Sequence, residues 1–162
     1  MPTIIVEDGS IVEGANSYVS EAQLTTYASD RGITLTADAD VLLIRAMDYI
    51  ESLGYKGVKS YRSQPLQWPR RGVYIDGYYV DSDVIPNELK NGLMQTAIAM
   101  DQGFDPLAVQ TQGIKSETVD VISVTYMDGS SSSPIIRQIN AALYKLLGGN
   151  GGTGNVITVS KA

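Results

Sequence analysis

Asp38-Ala-Asp-Val-Leu-Leu-Ile-Arg-Ala-Met-Asp-Tyr-Ile-Glu-Ser-Leu-Gly54 is the stretch on which the fold turns. Leu42, Leu43, Ala46, Met47 and Ile50 recur at helical spacing and run on to Leu53, the mark of an amphipathic helix. Thr36 is the candidate N-cap. Asp38 and Asp40 follow in the first turn, where carboxylates favour the positive end of the helix dipole, and Gly54 supplies the stop.

Upstream, residues 3–6 read as a short strand leading into a glycine-punctuated loop through Gly14-Ala15-Asn16. Ser20-Glu-Ala-Gln23 has capping-box spacing and predicts a helix from Glu21 to about Arg31, ended by Gly32. Downstream, Tyr55 to Ile85 shows no helical period. Asp76-Gly77 inside Tyr74-Ile-Asp-Gly-Tyr-Tyr79 suits a tight hairpin turn. Some thirty residues without regular structure in a compact domain point to function or to an interface.

Pro86 then opens a helix to about Gln102, with Leu89, Leu93, Ala97 and Met100 on one face. Ile114 to Met127 reads as strand, with a change of phase near Asp120-Val121 that implies a bulge or a tight reversal. After the polar loop Asp128–Ser133, Ser133-Pro134 starts a last helix carrying Ile135, Ile139, Leu143 and Leu146, closed by Gly148. The fold class is therefore mainly α (α+β): a small bundle of about four helices with an inserted β-hairpin, spanning residues 1–147. An extended, glycine-rich tail follows over residues 148–162.

The 162 residues suit one folded domain, and 43% of them are hydrophobic against 19% charged, an ordinary globular balance. No apolar run approaches the roughly 20 residues of a membrane helix, so no membrane partner is expected. The N-terminus lacks the basic start and apolar stretch of a signal peptide. Cysteine is absent, which excludes disulfides and thiol chemistry and is compatible with a reducing cytoplasm. Histidine is absent too, removing the commonest general base and the Ser-His-Asp arrangement. The expectation is a protein that is not an enzyme and needs no cofactor or metal.

Net charge is −6, but it is unevenly spread. Between Ser52 and Ile75 there is no acid, while Lys56, Lys59, Arg62, Arg70 and Arg71 give that segment +5 and leave the remainder at −11. Tyr55, Tyr61, Trp68 and Tyr74 interleave with these cations, the mixture that single-stranded nucleic-acid binders use for stacking and backbone attraction. Arg, Trp and Tyr are equally the residues enriched at protein interfaces, and the acidic overall balance favours that reading. Asp38-Ala-Asp40 and Asp81-Ser-Asp83 have a spacing that can hold a divalent cation, but without a phosphate loop they read as helix-start and loop acids. The glycines of 148–154 match no nucleotide-binding pattern.

Those glycines are a flexible tether, and beyond them Val156, Ile157, Thr158 and Val159 form a run of four β-branched residues suited to a strand. Such a strand either folds back on its own sheet, frays, or pairs with an exposed sheet edge of another protein.

Several ordered segments carry a family resemblance: Val6-Glu-Asp-Gly9 followed by Gly14-Ala-Asn-Ser-Tyr-Val-Ser20 and a helix containing Tyr27; Leu43-Ile-Arg-Ala-Met-Asp-Tyr-Ile50; Leu66-Gln-Trp-Pro-Arg70 with Gly72; Ile85-Pro86; and Ile114-Lys-Ser-Glu117 leading to Val124-Thr-Tyr126. Over residues 4–147 the chain resembles the head-completion, or head–tail connector (adaptor), proteins of tailed bacteriophages. Sequences of this type are often described as DnaT-like single-stranded DNA-binding proteins, which makes single-stranded DNA binding the alternative function.

The resemblance implies a structural protein of the virion neck, made in the host cytoplasm. Roughly twelve copies would form a closed homo-oligomeric ring under the portal protein, with the neck or tail-completion protein below. Genomic double-stranded DNA would pass through its lumen without tight binding. In that setting Val156, Ile157, Thr158 and Val159 would engage the portal. Lys56, Lys59, Arg62, Trp68, Arg70 and Arg71 would form the contact between subunits, reaching acidic helices of a neighbour.

Overall fold

The computed structural model describes residues 2–107 and 134–148. Its helices are α1 (Glu21–Ser29), α2 (Ala39–Ser52), α3 (Asn87–Asp101) and α4 (Pro134–Leu143). Two short antiparallel ladders lie between α2 and α3: β1 (Val58–Lys59) with β2 (Arg70–Arg71), and β3 (Val73–Ile75) with β4 (Tyr78–Val80). The architecture is mainly helical α+β. The expected strand segment over 114–127, the expected cap at 133 and the expected strand over 156–159 lie outside the described residues.

The central helix is α3, which touches α1, α2 and α4. With neighbours on three sides it buries Leu89, Gly92, Leu93, Met94, Thr96, Ala97, Ile98, Ala99 and Met100, far more than one stripe. Small residues make this possible: a Cβ at Gly92 would stand 2.4 Å from Leu143 Cδ2, so α4 comes close only because that side chain is missing. The stripe read on α2 is the buried face, with Leu42, Leu43, Ala46, Met47 and Ile50 all inside. Ile139, Leu143 and Leu146 close the core from the α4 side.

The helix starts follow local chemistry. Ser20 caps α1 as predicted: its Oγ accepts from the Gln23 N–H at 3.2 Å, and Gln23 Oε1 accepts from the Ser20 N–H at 2.8 Å. Thr36 does not cap α2. Asp38 holds that position, because Thr36 is engaged elsewhere: its N–H and hydroxyl, with the Ala37 N–H, donate to Asp101 at the end of α3. A contact 65 residues away carries no local sequence signal.

The expected strand at 3–6 reduces to a single parallel bridge between Val6 and Ser17. What orders this region is Glu7, fully buried, whose carboxylate accepts from the N–H groups of Gly9, Ile11 and Val12 at 2.8–2.9 Å. The loop wraps the carboxylate and leaves Ile11 at φ 64°. Gly9 in turn lies on the 81–84 loop so closely that a Cβ would be 1.7 Å from Asp83 O.

Candidate interaction surface around the basic segment

The basic segment divides into an inward half and an outward half. Trp68 is 0% exposed, edge-on to Tyr55 with ring centroids 5.8 Å apart, and it precedes a cis Pro69. The Tyr55 hydroxyl donates to Ile50 O at 2.8 Å, so this aromatic pair is anchored to the end of α2. Beside it, the Tyr18 hydroxyl donates to Glu51 Oε1 at 2.5 Å and accepts from the Trp68 N–H at 3.1 Å. Glu51 Oε2 accepts from the Gln67 N–H at 2.8 Å. Burial raises the Glu51 carboxyl above the usual range, against the bonds from Tyr18 and Gln67 and the charges of Lys59 and Arg70. Burial, then the nearby Glu51, raises the Tyr18 phenol as well.

Arg70 is a structural clamp. Its guanidinium donates to Lys56 O at 2.7 Å, to Gly57 O at 2.8 Å and to Gln67 Oε1 at 2.9 Å. Gln64, also buried, donates to Leu66 O and Pro69 O. Gly57 permits the approach of the two strands, since a Cβ there would be 2.3 Å from Arg71 O.

This corrects the expectation for two residues. Trp68 and Arg70 face the interior of their own chain and offer no surface to a neighbouring subunit or to a base. The Leu66–Arg70 segment has to be fixed somewhere, and Tyr18, Glu51 and the 55–57 carbonyls fix it.

The outward half comprises Lys56, Arg62 and Arg71, exposed, and Lys59, half-buried. Lys56 is tied back, its Nζ donating to Lys145 O at 2.8 Å and its N–H to Leu146 O at 2.9 Å. Gly148 N–H donates to Gly54 O, and Tyr55 bridges Leu147, so the chain leaving α4 is stitched to the start of the basic segment. The β1–β2 register sets Val58 beside Arg71 and Lys59 beside Arg70. Arg70 is the inward member, which leaves Val58 and Arg71 as the exposed pair, with Tyr61 and Arg62 following.

The predicted hairpin turn is present: Asp76 at φ 52° and Gly77 at φ 87° join β3 to β4. The hairpin exposes Tyr74, Tyr78 and Tyr79, and Tyr74 meets Tyr79 edge-on at 5.4 Å. Period-2 alternation is too short here for sequence to reveal which tyrosines face out. Between this hairpin and α3 runs a groove of about 440 Å³ lined by Tyr78, Tyr79, Val84, Pro86, Asp81 and Glu88. Asp76 at its end pairs with Lys145 at 2.6 Å.

The two D-x-D pairs lie at a helix start and in a loop. Asp40 is buried and accepts from the Val41 N–H at 2.8 Å, while Asp81 and Asp83 lie exposed in a loop. No group of three candidate ligands for a metal ion occurs among the described residues. No helix among the described residues is long and apolar enough to cross a membrane.

No curated protein and no solved structure matches the chain significantly. One family does, across residues 2–161, which is nearly the whole sequence. Among the segments that carry the resemblance, Glu7 orders the N-terminal loop, Tyr18 joins α2 to Trp68, and the Ile50 carbonyl anchors Tyr55. On that match the chain belongs to the family described as "Putative DnaT-like ssDNA binding protein".

Proposed function

We propose that the protein is a structural head–tail connector of tailed bacteriophage particles, forming a ring under the portal that extends the DNA channel and links the head to the neck or tail. One observation weighs against base stacking in the aromatic-plus-cation segment: its Trp68 and Arg70 side chains are spent on the fold itself. The remaining exposed cations, Lys56, Arg62 and Arg71 with half-buried Lys59, form a protein-facing contact between subunits in this proposal. The rest of the chain is net negative, which suits a lumen that DNA traverses without sticking, because phosphate neutralisation drives non-specific binding. The portal contact is assigned to Val156–Val159 of the tail, by strand addition. The proposed setting is the virion neck, with no catalytic role and no cofactor.

Electron microscopy of the protein mixed with its portal tests this directly. A ring seated on the portal is the expected image, and free portal with unattached protein would overturn it.

The family description favours a second reading, a single-stranded DNA-binding protein, and the exposed Tyr61, Tyr74, Tyr78 and Tyr79 are the groups that would stack on bases. Fluorescence anisotropy at near-physiological salt separates the two. The connector reading expects weak, salt-labile binding. Submicromolar affinity lost on replacing Arg62, Arg71 and Tyr61 by Ala would establish the second reading instead.

A further inference from the structure

We propose that the protein associates with itself by seating the exposed basic strip of one copy (Val58, Tyr61, Arg62 and Arg71) in the tyrosine-walled acidic groove of another.

The groove is apolar in its walls and acidic at its rim. Tyr78, 80% exposed, and Tyr79, Val84 and Pro86 supply the walls, while Asp81 and Glu88 supply the charge. Lys145 is engaged by Asp76, and no cation lies within ion-pairing distance of Asp81 or Glu88 among the described residues. Exposed tyrosines gathered at one place mark an interaction surface, since scattered ones would be ordinary. The surrounding carboxylates decide the class of occupant. They repel phosphate, so bases are not the natural guests of these tyrosines, and a cationic protein segment is.

This chain presents such a segment. Arg62 and Arg71 are exposed and make no ion pair among the described residues, and they stand with Val58 and Tyr61, 54% and 64% exposed. Its make-up is the counterpart of the groove: two cations for two free carboxylates, with an aliphatic and an aromatic side chain for the apolar walls. The two surfaces adjoin within one subunit, where the Ser60 hydroxyl donates to Ser82 O at 2.6 Å, and each is held rigidly, the strip by the Arg70 clamp and the groove by the β3–β4 ladder. A preorganised surface loses little entropy on docking. The contact stands on complementarity alone; its use in a ring rests on the connector reading.

The test is analytical ultracentrifugation of the purified full chain over a concentration series, without portal. The wild type should gain mass with concentration and lose it with added salt. Arg62→Glu/Arg71→Glu and Asp81→Lys/Glu88→Lys should each associate about tenfold or more weakly. Mixed together they should assemble again, because the reversed strip now fits the reversed groove, and recovery on mixing also shows that both variants are folded. A wild type that stays monomeric at every concentration, variants that associate as the wild type does, or a mixture that fails to recover would each overturn the contact. Assembly that stops at a dimer supports the contact and removes the ring. Portal-bound rings that form undisturbed from both variants overturn the contact and leave the connector reading standing.

Discussion

The Tyr18 hydroxyl donates to Glu51, 33 residues along the chain, and accepts from the N–H of Trp68, 50 residues from Tyr18 itself. One phenol thus joins the N-terminal segment, α2 and the basic segment. It has no freedom to serve a ligand.

The sign of the Glu51 effect follows from its raised carboxyl. Burial, the largest cause, disfavours the charged form in the folded state more than in the unfolded chain. Its contribution to stability is therefore full below the ordinary carboxylate range and declines as pH rises through the raised value. Gln at this position cannot ionise, so Glu51→Gln should gain stability relative to wild type over a window that opens in the ordinary carboxylate range and closes once pH has passed the raised value. Glu51→Ala removes both acceptors and should cost about 1–3 kcal/mol at the acid end, less as pH rises. Urea unfolding of the three proteins at both ends of the window measures this. A Gln-minus-Glu difference that is flat with pH contradicts it.

Trp68→Ala should cost roughly 3–5 kcal/mol, as expected for emptying a fully buried aromatic site. The indole Nε1 has no hydrogen-bond partner among the described residues, so Trp68→Phe forfeits volume but no bond within them and should cost roughly 1–3 kcal/mol. Because Trp68 is the sole tryptophan, its emission reports its burial directly. Wild-type emission should be blue-shifted, and adding single-stranded DNA should leave it unchanged. Quenching by DNA would place the indole at a binding surface, against the structure.

Gly92→Ala sets two terms against each other. Ala gains about 1 kcal/mol of helix propensity, but its Cβ overlaps Leu143, and overpacking costs about 1–3 kcal/mol. The net result should be a modest loss. The cost of Leu143→Ala should be smaller in the Gly92→Ala background than in the wild type, since the added methyl fills part of the cavity. Thermal melts of the four proteins complete the double-mutant cycle, and strict additivity would show that the helices do not meet there.

How much of this was legible in the sequence depends on the range of the interaction. Repeating local patterns were: the α2 stripe, the Ser20 capping box, the Asp76-Gly77 turn and the α3 face all stand where their spacing put them. The Glu7 loop, the Thr36–Asp101 contact and the β1–β2 ladder were not. A buried carboxylate wrapped by its own backbone has no periodicity, Asp101 acts 65 residues away, and two-residue strands are too short to alternate. The inward turn of Trp68 and Arg70 was hidden for another reason. The same residue types serve a buried clamp and an exposed docking face, and only the partners Tyr18, Glu51 and Lys56 O tell them apart.

Asp101 predicts a second pH effect, opposite in sign. Burial would raise its carboxyl, but bonds from the Thr36 N–H, the Thr36 hydroxyl and the Ala37 N–H outweigh it and hold the group below the usual range. Its stabilisation is present above the ordinary carboxylate value and is lost as pH falls through the depressed one. Asp101→Ala should cost about 1 kcal/mol near neutrality, the low end for a charged acceptor because the site is open to solvent. That cost should fade toward acid pH. A deficit that persists unchanged there would mean the carboxylate charge is not what holds the 36–37 loop.

The tail gives the sharpest separation of folding from attachment. Leu146 is fully buried, and the residues around it pair with the basic segment through Lys56 N–H to Leu146 O and Gly148 N–H to Gly54 O. A chain cut after Tyr144 loses those bonds and the Leu146 side chain, and should be destabilised by about 2–5 kcal/mol. A chain ending at Gly148 keeps all of them and should melt close to wild type. If Val156–Val159 docks on the portal, that second truncation should nevertheless abolish attachment and give heads that leak DNA. Fully extended, residues 148–162 reach roughly 50 Å at about 3.3 Å per residue, ample to cross a subunit boundary. Ile157→Pro in the intact chain should weaken attachment nearly as much, because it deletes one ladder donor from a strand whose backbone supplies the pairing. A chain ending at Gly148 that still binds portal would sink the docking proposal. One that no longer folds would show instead that the terminal strand belongs to the domain itself.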